Sequence, residues 1–180
     1  DGTTLIQPLA QLAPYRRSIV DALEDWAQKT PDAILIAERE GEGWRRYSYA
    51  QVLAMLPPLA QGLLDAGVSA ERPLMILSGN EIEHLLLGLA AIWVGVPYAP
   101  ISPAYSLVST DFGKLRHIAG LLTPGLIYAT DGERFAPALE AVFDHDLPLL
   151  VRRNPPAGRN IQLFDEFAAT PVTADVAAAH

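Results

Sequence analysis

Leu74-Met75-Ile76-Leu77-Ser78-Gly79-Asn80-Glu81-Ile82-Glu83-His84-Leu85-Leu86-Leu87-Gly88-Leu89-Ala90-Ala91-Ile92-Trp93-Val94-Gly95-Val96-Pro97-Tyr98-Ala99-Pro100-Ile101 decides the fold. It opens on a short apolar run, 74–78, of strand length. Asn80 with Glu83 then supplies a helix start for 81–94. That helix is apolar nearly all round, so it is expected between other elements rather than on a surface. Gly95 and Pro97 end it, and 97–101 reads as the next strand. No Asp, Glu, Lys or Arg occurs between His84 and Thr110. A membrane helix needs about 20 continuous apolar residues, and Gly95, Pro97 and Pro100 interrupt any such run. No membrane span is expected.

Downstream the alternation continues. An amphipathic helix is predicted over 111–122 through Phe112, Leu115, Ile118 and Leu122, followed by a strand over 126–129, a helix over 133–143 and strands over 147–151 and 161–164. Residues 152–160 read as a loop rich in proline and arginine. Upstream, Ser18 and Asp21 form a capping box for a helix with Ile19, Leu23 and Trp26 on one face, ended by Thr30-Pro31. Runs 33–38 and 44–48 around a glycine-bearing loop predict a hairpin. Ser48 and Gln51 cap a second helix towards Gly67, which Pro57-Pro58 is expected to kink or break near Leu56, since an interior proline costs about 3 kcal/mol. Short apolar strands alternating with helices predict an α/β fold with a mostly parallel sheet flanked by helices, plus the early hairpin. The expected organisation is an extended arm over 1–15, an α/β domain over 16–170 and a tail over 171–180.

Composition narrows the function. Half of the 180 residues are apolar, 19% are charged and the net charge is -8, with only Lys29 and Lys114 as lysines. That balance disfavours nucleic acid, which needs surplus cations near phosphates. The absence of cysteine removes disulfides, thiolate metal sites and thiol catalysis, and fits a cytoplasmic setting. No secretory leader is visible in 1–13, and the chain does not open on methionine.

Motifs for chemistry are scarce. Gly113-Lys114 continues into Leu115 instead of Ser/Thr, so it is no phosphate loop, and Gly41-Glu42-Gly43 belongs to the hairpin turn. Asp111-Phe112-Gly113 matches a kinase magnesium tripeptide but lacks the partner motifs. Ser78-Gly79 lacks the preceding glycine of a nucleophile elbow. His84, His117, His145 and His180 show no metal-ligand spacing; His84 reads as part of a helix's first turn, His117 as a helix flank, and the other two as exposed. Glu81 and Glu83 lie where a helix dipole favours negative charge whatever the function, and Asp144 and Asp146 flank a turn. Arg152, Arg153 and Arg159 could attract an anion, although a solvated loop explains them as well. Tyr98 and Tyr105 could line a pocket or simply pack.

Several stretches resemble the AMP-forming acyl-CoA synthetases, members of the adenylate-forming enzymes. Tyr47-Ser48-Tyr49-Ala50-Gln51-Val52 matches their early motif. Gly79-Asn80-Glu81-Ile82-Glu83 and Gly95-Val96-Pro97-Tyr98-Ala99-Pro100-Ile101-Ser102-Pro103 match the next landmark, with Ser102 where Asn or Asp is usual. Leu115-Arg116-His117-Ile118 and Leu126-Ile127-Tyr128-Ala129 resemble a later helix and strand. The likeness covers about 18–167, and the wording of Ile101-Ser102-Pro103-Ala104-Tyr105-Ser106 and of 114–125 looks most like the feruloyl-CoA synthetase branch.

The resemblance implies a two-step ligase: a carboxylic acid, such as a hydroxycinnamate-type aromatic acid, attacks ATP with Mg2+ to give an acyl-adenylate, and coenzyme A displaces AMP. The family's glycine-rich phosphate loop, Tyr-Gly-x-Thr-Glu segment, ribose-binding aspartate and carboxy-terminal lysine are not in this sequence. Accordingly no catalytic, cofactor-binding or metal residue is carried over, and the chain reads as scaffold whose partner is the remainder of a parent chain. An inert fragment of the ligase, a free-standing interaction domain, and an enzyme loading a carrier-protein thiol are the competing expectations. Helix 81–94 and the arm are the surfaces expected to be left uncovered and to favour self-association.

Overall fold

The computed structural model describes residues 2–179; Asp1 and His180, with the expectation for His180, lie outside the described residues. After an exposed arm without helix or strand, the Ser18 capping box forms as expected and opens α1 (Ile19–Lys29). Its buried side is Val20, Leu23 and Ala27, while Ile19 and Trp26 stay exposed. The buried face is therefore rotated from the expected one, with only Leu23 in common. Close packing favours the small Ala27, and Trp26 instead meets Tyr49 at the rim, with 6.3 Å between ring centroids.

The hairpin pairs β1 (Ile34–Glu40) with β2 (Gly43–Ser48) antiparallel, as a two-stranded sheet of its own. Ser48 and Gln51 form their capping box and start α2 (Tyr49–Asp65). Pro57 and Pro58 do not break it: the helix is one run with both prolines inside. Leu56, Leu59, Ala60 and Leu63 are fully buried on α2. Burying large apolar side chains at about 1.5–3 kcal/mol each outweighs the lost backbone donors.

Five parallel strands follow: β3 (Leu74–Leu77), β4 (Tyr98–Ile101), β5 (Leu126–Asp131), β6 (Leu149–Arg153) and β7 (Ile161–Leu163), in the order β4-β3-β5-β6-β7. Their connections carry α3 (Ile82–Trp93), α4 (Ala104–Leu107), α5 (Gly113–Leu122) and α6 (Gly132–Val142); α7 (Phe164–Phe167) and α8 (Ala174–Ala179) complete the chain. Alternate strand residues feed two cores. Leu74, Ile76, Tyr128 and Leu150 pack with α2 and α3, whereas Met75, Leu77, Ile127, Ala129 and Val151 pack with α5 and α6. The sheet is therefore covered on both faces, as its unbroken apolar strands required. No helix among the described residues is long and apolar enough to cross a membrane.

Two contacts fix how tightly the helices approach. Phe167 presses on Gly62 of α2, where an added Cβ would lie 2.7 Å from the ring. Gly132 opens α6 directly beneath the 154–156 segment, and a Cβ there would overlap Pro156 Cδ and lie 2.5 Å from the Asn154 carbonyl oxygen. Backbone cannot step aside as a flexible side chain can. Gly132→Ala is therefore expected to cost about 1–3 kcal/mol, read in urea unfolding as a lower midpoint with an unchanged slope.

Candidate functional site

A sheet ordered β4-β3-β5-β6-β7 reverses its winding between β3 and β5, and the crevice beyond the carboxyl ends of those strands is where such sheets bind ligands. Here the crevice is walled by the turn 78–81, the first turn of α3, and Thr130 and Asp131 ending β5. The Thr130 hydroxyl donates to the Glu81 carboxylate and so ties the two strand ends together. Tyr128, fully buried below, is pushed up by burial well beyond the ordinary phenol range and stays neutral.

Glu83 dominates the electrostatics. Its side chain is 4% exposed, although it lies in the first turn of α3. Arg45 of β2 grips it bidentately, Nη1 to Oε1 at 2.5 Å and Nη2 to Oε2 at 2.9 Å. Arg152 of β6 donates from Nε to Oε1 at 3.1 Å. The same Arg45 Nη2 reaches Glu38 Oε2 of β1 at 2.8 Å, and Arg152 Nη1 reaches Asp165 at 3.3 Å. Burial alone would raise the Glu83 pKa; the Arg45 hydrogen bonds and the charges of Arg45 and Arg152 overcome it and hold the carboxyl below its usual range. Glu83 in turn raises Arg45, against the effect of burial. The expected Asn80–Glu83 capping box is thus not made. Glu81 is the N-cap without a side-chain capping bond, and Glu38 Oε2 accepts from the Ile82 N–H at 3.1 Å in its place.

The remaining candidates separate cleanly. Ser78 and His84, each without a visible partner in the sequence, meet: Ser78 Oγ lies 2.9 Å from His84 Nδ1, and both lie 3.1 Å from the Gly79 carbonyl oxygen. With Nδ1 as donor and the hydroxyl bonded to that carbonyl, all three groups are satisfied. The serine proton then points at an acceptor that cannot carry it away, and Ser78 is 3% exposed. This is a turn lock, not an activated nucleophile.

Arg152 and Arg153 lie in β6 instead of the expected loop, paired with Glu83 and Asp131. Asp131 is raised by burial and more strongly lowered by the Arg134 N–H, Asn154 and Arg153, and it caps α6. Arg159, placed by sequence among possible anion binders, buries its side chain completely: Nη2 donates to the Leu139 and Phe143 carbonyls, each at 2.8 Å, Nη1 to Asp144 O at 3.0 Å, and Nε to Glu140 at 3.0 Å. It closes the carboxyl end of α6.

Asp111 accepts from the Gly113 N–H and the Ser109 hydroxyl, which holds the turn into α5 and lowers its pKa. Lys114 Nζ sits 5.2 Å over the Tyr105 ring. Tyr98 packs with the first core and Tyr105 with the second, so they share no pocket wall. His117 is exposed, and His145 bonds Glu140 and the Gly158 carbonyl. Among the described residues no group of three or more His, Asp or Glu is placed to hold a metal ion. Arg45, Arg152 and Arg153 at the carboxyl edge are committed to carboxylates, so these side chains do not fit a triphosphate clamp.

Glu83 gives a direct test. Its folded pKa is depressed, so its stabilisation is present above the unfolded value of about 4.3 and disappears as pH falls through the folded value. Glu83→Gln should cost about 3–5 kcal/mol at pH 7, by removing the anion that Arg45 and Arg152 share and leaving Arg45 only Glu38. The variant should also lose part of the acid limb below about pH 4.3, measured as chemical-denaturation stability against pH.

The family model described as AMP-binding enzyme matches residues 23–170. The hybrid PKS-NRPS synthetase mycA of Thermothelomyces thermophilus is 26% identical over 69% of this chain, and a linear gramicidin synthase polypeptide of Brevibacillus parabrevis 32% identical over 51%. The matched regions make up only 3% and 2% of those relatives. Among solved structures, the luciferase-like enzyme of the nonluminescent mealworm Zophobas morio aligns with TM-score 0.67 at 17% identity, over 92% of this chain and 38% of that one. The fatty acyl-adenylate ligase from L. pneumophila aligns with TM-score 0.59 at 16% identity, over 87% and 25%. At those identities the structures establish the fold. With the family model spanning most of its length, and the parallel sheet and hairpin of the fold in place, this chain belongs to the AMP-binding enzyme family.

Proposed function

We propose that this chain is an amino-terminal part of an ATP- and Mg2+-dependent, AMP-forming acid–thiol ligase, and that it serves there as scaffold, contributing no catalytic, cofactor-binding or metal residue. The carrying observation is the commitment of the candidate cations: Arg45, Arg152, Arg153 and Arg159 each neutralise a carboxylate of the same chain. Adenylyl transfer depends on cations free to stabilise developing negative charge. The family match over 23–170 supports the reaction class.

Two thiol acceptors remain in competition. The wording of 101–106 supports coenzyme A with a hydroxycinnamate-like acid. The sequence relatives, a hybrid PKS-NRPS synthetase and a linear gramicidin synthase, support an adenylation role in which a carrier-protein thiol takes the acyl group. A cytoplasmic location agrees with a chain without cysteine.

The 180-residue chain alone should give no acid-dependent exchange of pyrophosphate into ATP above buffer. Exchange that survives repurification to constant specific activity would overturn the scaffold reading. Offering the complete parent protein coenzyme A and a pantetheinylated carrier side by side, with mass detection of the thioester, decides between the acceptors.

A further inference from the structure

The β1–β2 hairpin changes character along its length. Successive side chains of a strand point to opposite faces, and the register pairs Ile36 with Tyr47, Glu38 with Arg45 and Arg39 with Trp44. Ile36, Glu38, Arg45 and Tyr47 therefore share the face turned to the rest of the chain. Trp44 stands on the other face, with Arg39 at 5.2 Å and Arg46 at 5.8 Å over its ring. Near the base the inner face is apolar, and Ile36 and Tyr47 pack on the first core. Towards the tip it is charged, and residues 39–44 are exposed.

What holds the tip is charge. Arg45 donates to both oxygens of Glu83 and to Glu38, and Glu38 accepts the Ile82 N–H. Both sides of this contact belong to the chain. Among the described residues the hairpin shares no strand pairing with the five-stranded sheet, and a two-stranded hairpin by itself is marginal in water. The base has backbone ties as well: the Tyr49 N–H donates to the Ala33 carbonyl at 3.0 Å and the Ala50 N–H to the Pro31 carbonyl at 3.1 Å. Between tip and sheet edge lies a cavity of about 360 Å³, walled by Arg39, Glu40 and Gly41 on the hairpin side and by Glu83, Arg152 and Arg153 on the other.

We propose that residues 37–46 are a flap latched by charge: neutralising Glu83 or removing Arg45 frees the tip, which opens from the carboxyl edge while the hairpin base and the five-stranded sheet stay folded. Opening widens the cavity into a cleft at the amino end of α3 and the carboxyl end of β6. The groups around Glu83 come from several elements. Arg45 and Glu38 approach from the hairpin and Arg152 from β6, with Asp165 of α7 behind it, while Tyr128 of β5 feels the charges of Glu83 and Glu81. Burial pushes the Glu83 carboxyl up, but the Arg45 hydrogen bonds and the two arginine charges bring it below its usual range. The latch is thus fully closed above the unfolded value of about 4.3 and is lost as pH falls through the folded value. Arg152 keeps Asp165 when Glu83 is neutral, and so stays with the sheet.

Amide hydrogen exchange of the 180-residue chain, followed near pH 7 over low urea concentrations, tests the latch. Amides within 37–46 that the ladder protects are expected to exchange through a local opening, nearly insensitive to urea and less costly than global unfolding. Amides of Ile76, Ile127 and Leu150 should show the full urea dependence of unfolding. In Arg45→Met, where Glu83 keeps Arg152, flap protection should fall by about 100-fold or more, with Ile76, Ile127 and Leu150 remaining the most protected. The unaltered chain should show the same order of loss as pH falls below about 4.3, flap first and sheet later. One shared urea dependence for flap and sheet amides in the unaltered chain overturns the proposal without any variant. So does flap protection that Arg45→Met leaves unchanged.

Discussion

A carboxylate buried on an otherwise apolar helix constrains this structure more than any other single group. Removing an ion from water costs several kcal/mol even after the surroundings relax. Glu83 can occupy its place only because Arg45 and Arg152 converge on it, from 38 residues before and 69 residues after in the chain. Three segments are thereby held in one geometry: the hairpin, the amino end of α3 and the carboxyl end of β6. Apolar contacts through Leu35, Ile36 and Tyr47 also hold the hairpin to the first core. Such contacts are non-directional and tolerate sliding. The bidentate pairing supplies the direction they lack.

The same geometry limits what the carboxyl edge can do. Topology places a crevice between β3 and β5, where doubly wound sheets bind their ligands. In this chain the crevice is bridged by Thr130 and Glu81, its serine is locked to a carbonyl, and its arginines neutralise internal carboxylates. An edge so fully engaged with itself suits a rigid wall.

The order of elements was legible because its signals are local. Ser18 with Asp21 and Ser48 with Gln51 announce helix starts within four residues, and the apolar runs at 74–77 and 126–129 need no partner to be recognised as strands. Tertiary context overrides the local signal elsewhere. Pro57 and Pro58 stay inside a helix because α2 is buried along much of its length. Asn80 does not cap because Glu81 holds the N-cap position, while Glu83, its expected capping-box partner, is bound to Arg45. Arg159 reads as a loop cation because the carbonyls it satisfies lie 15 to 20 residues earlier, in and just after a helix, and no local signal links it to them. One signal for the charge network was nonetheless present. A single acid among Ile82, Leu85, Leu86 and Leu87, on a helix expected to be covered all round, demands a cation from elsewhere.

A wall also needs flanks that stay where they are put, and the chain meets this need by close approach as much as by charge. Gly62 admits the Phe167 ring, Gly88 admits the Tyr98 ring at 3.0 Å from a Cβ position, and Gly132 admits the loop that carries Asn154. Each glycine brings a later segment onto an earlier helix, so later parts of the chain lock earlier ones. Gln61 does the same through hydrogen bonds: buried on α2, its amide oxygen accepts from the Thr173 N–H at 3.0 Å and hydroxyl at 2.9 Å, which seats α8. Charge sets the orientation of the edge, and these contacts set its depth. The arm is anchored at its root by Arg16, and Leu5, Ile6, Leu9, Leu12 and Tyr15 stand in solvent.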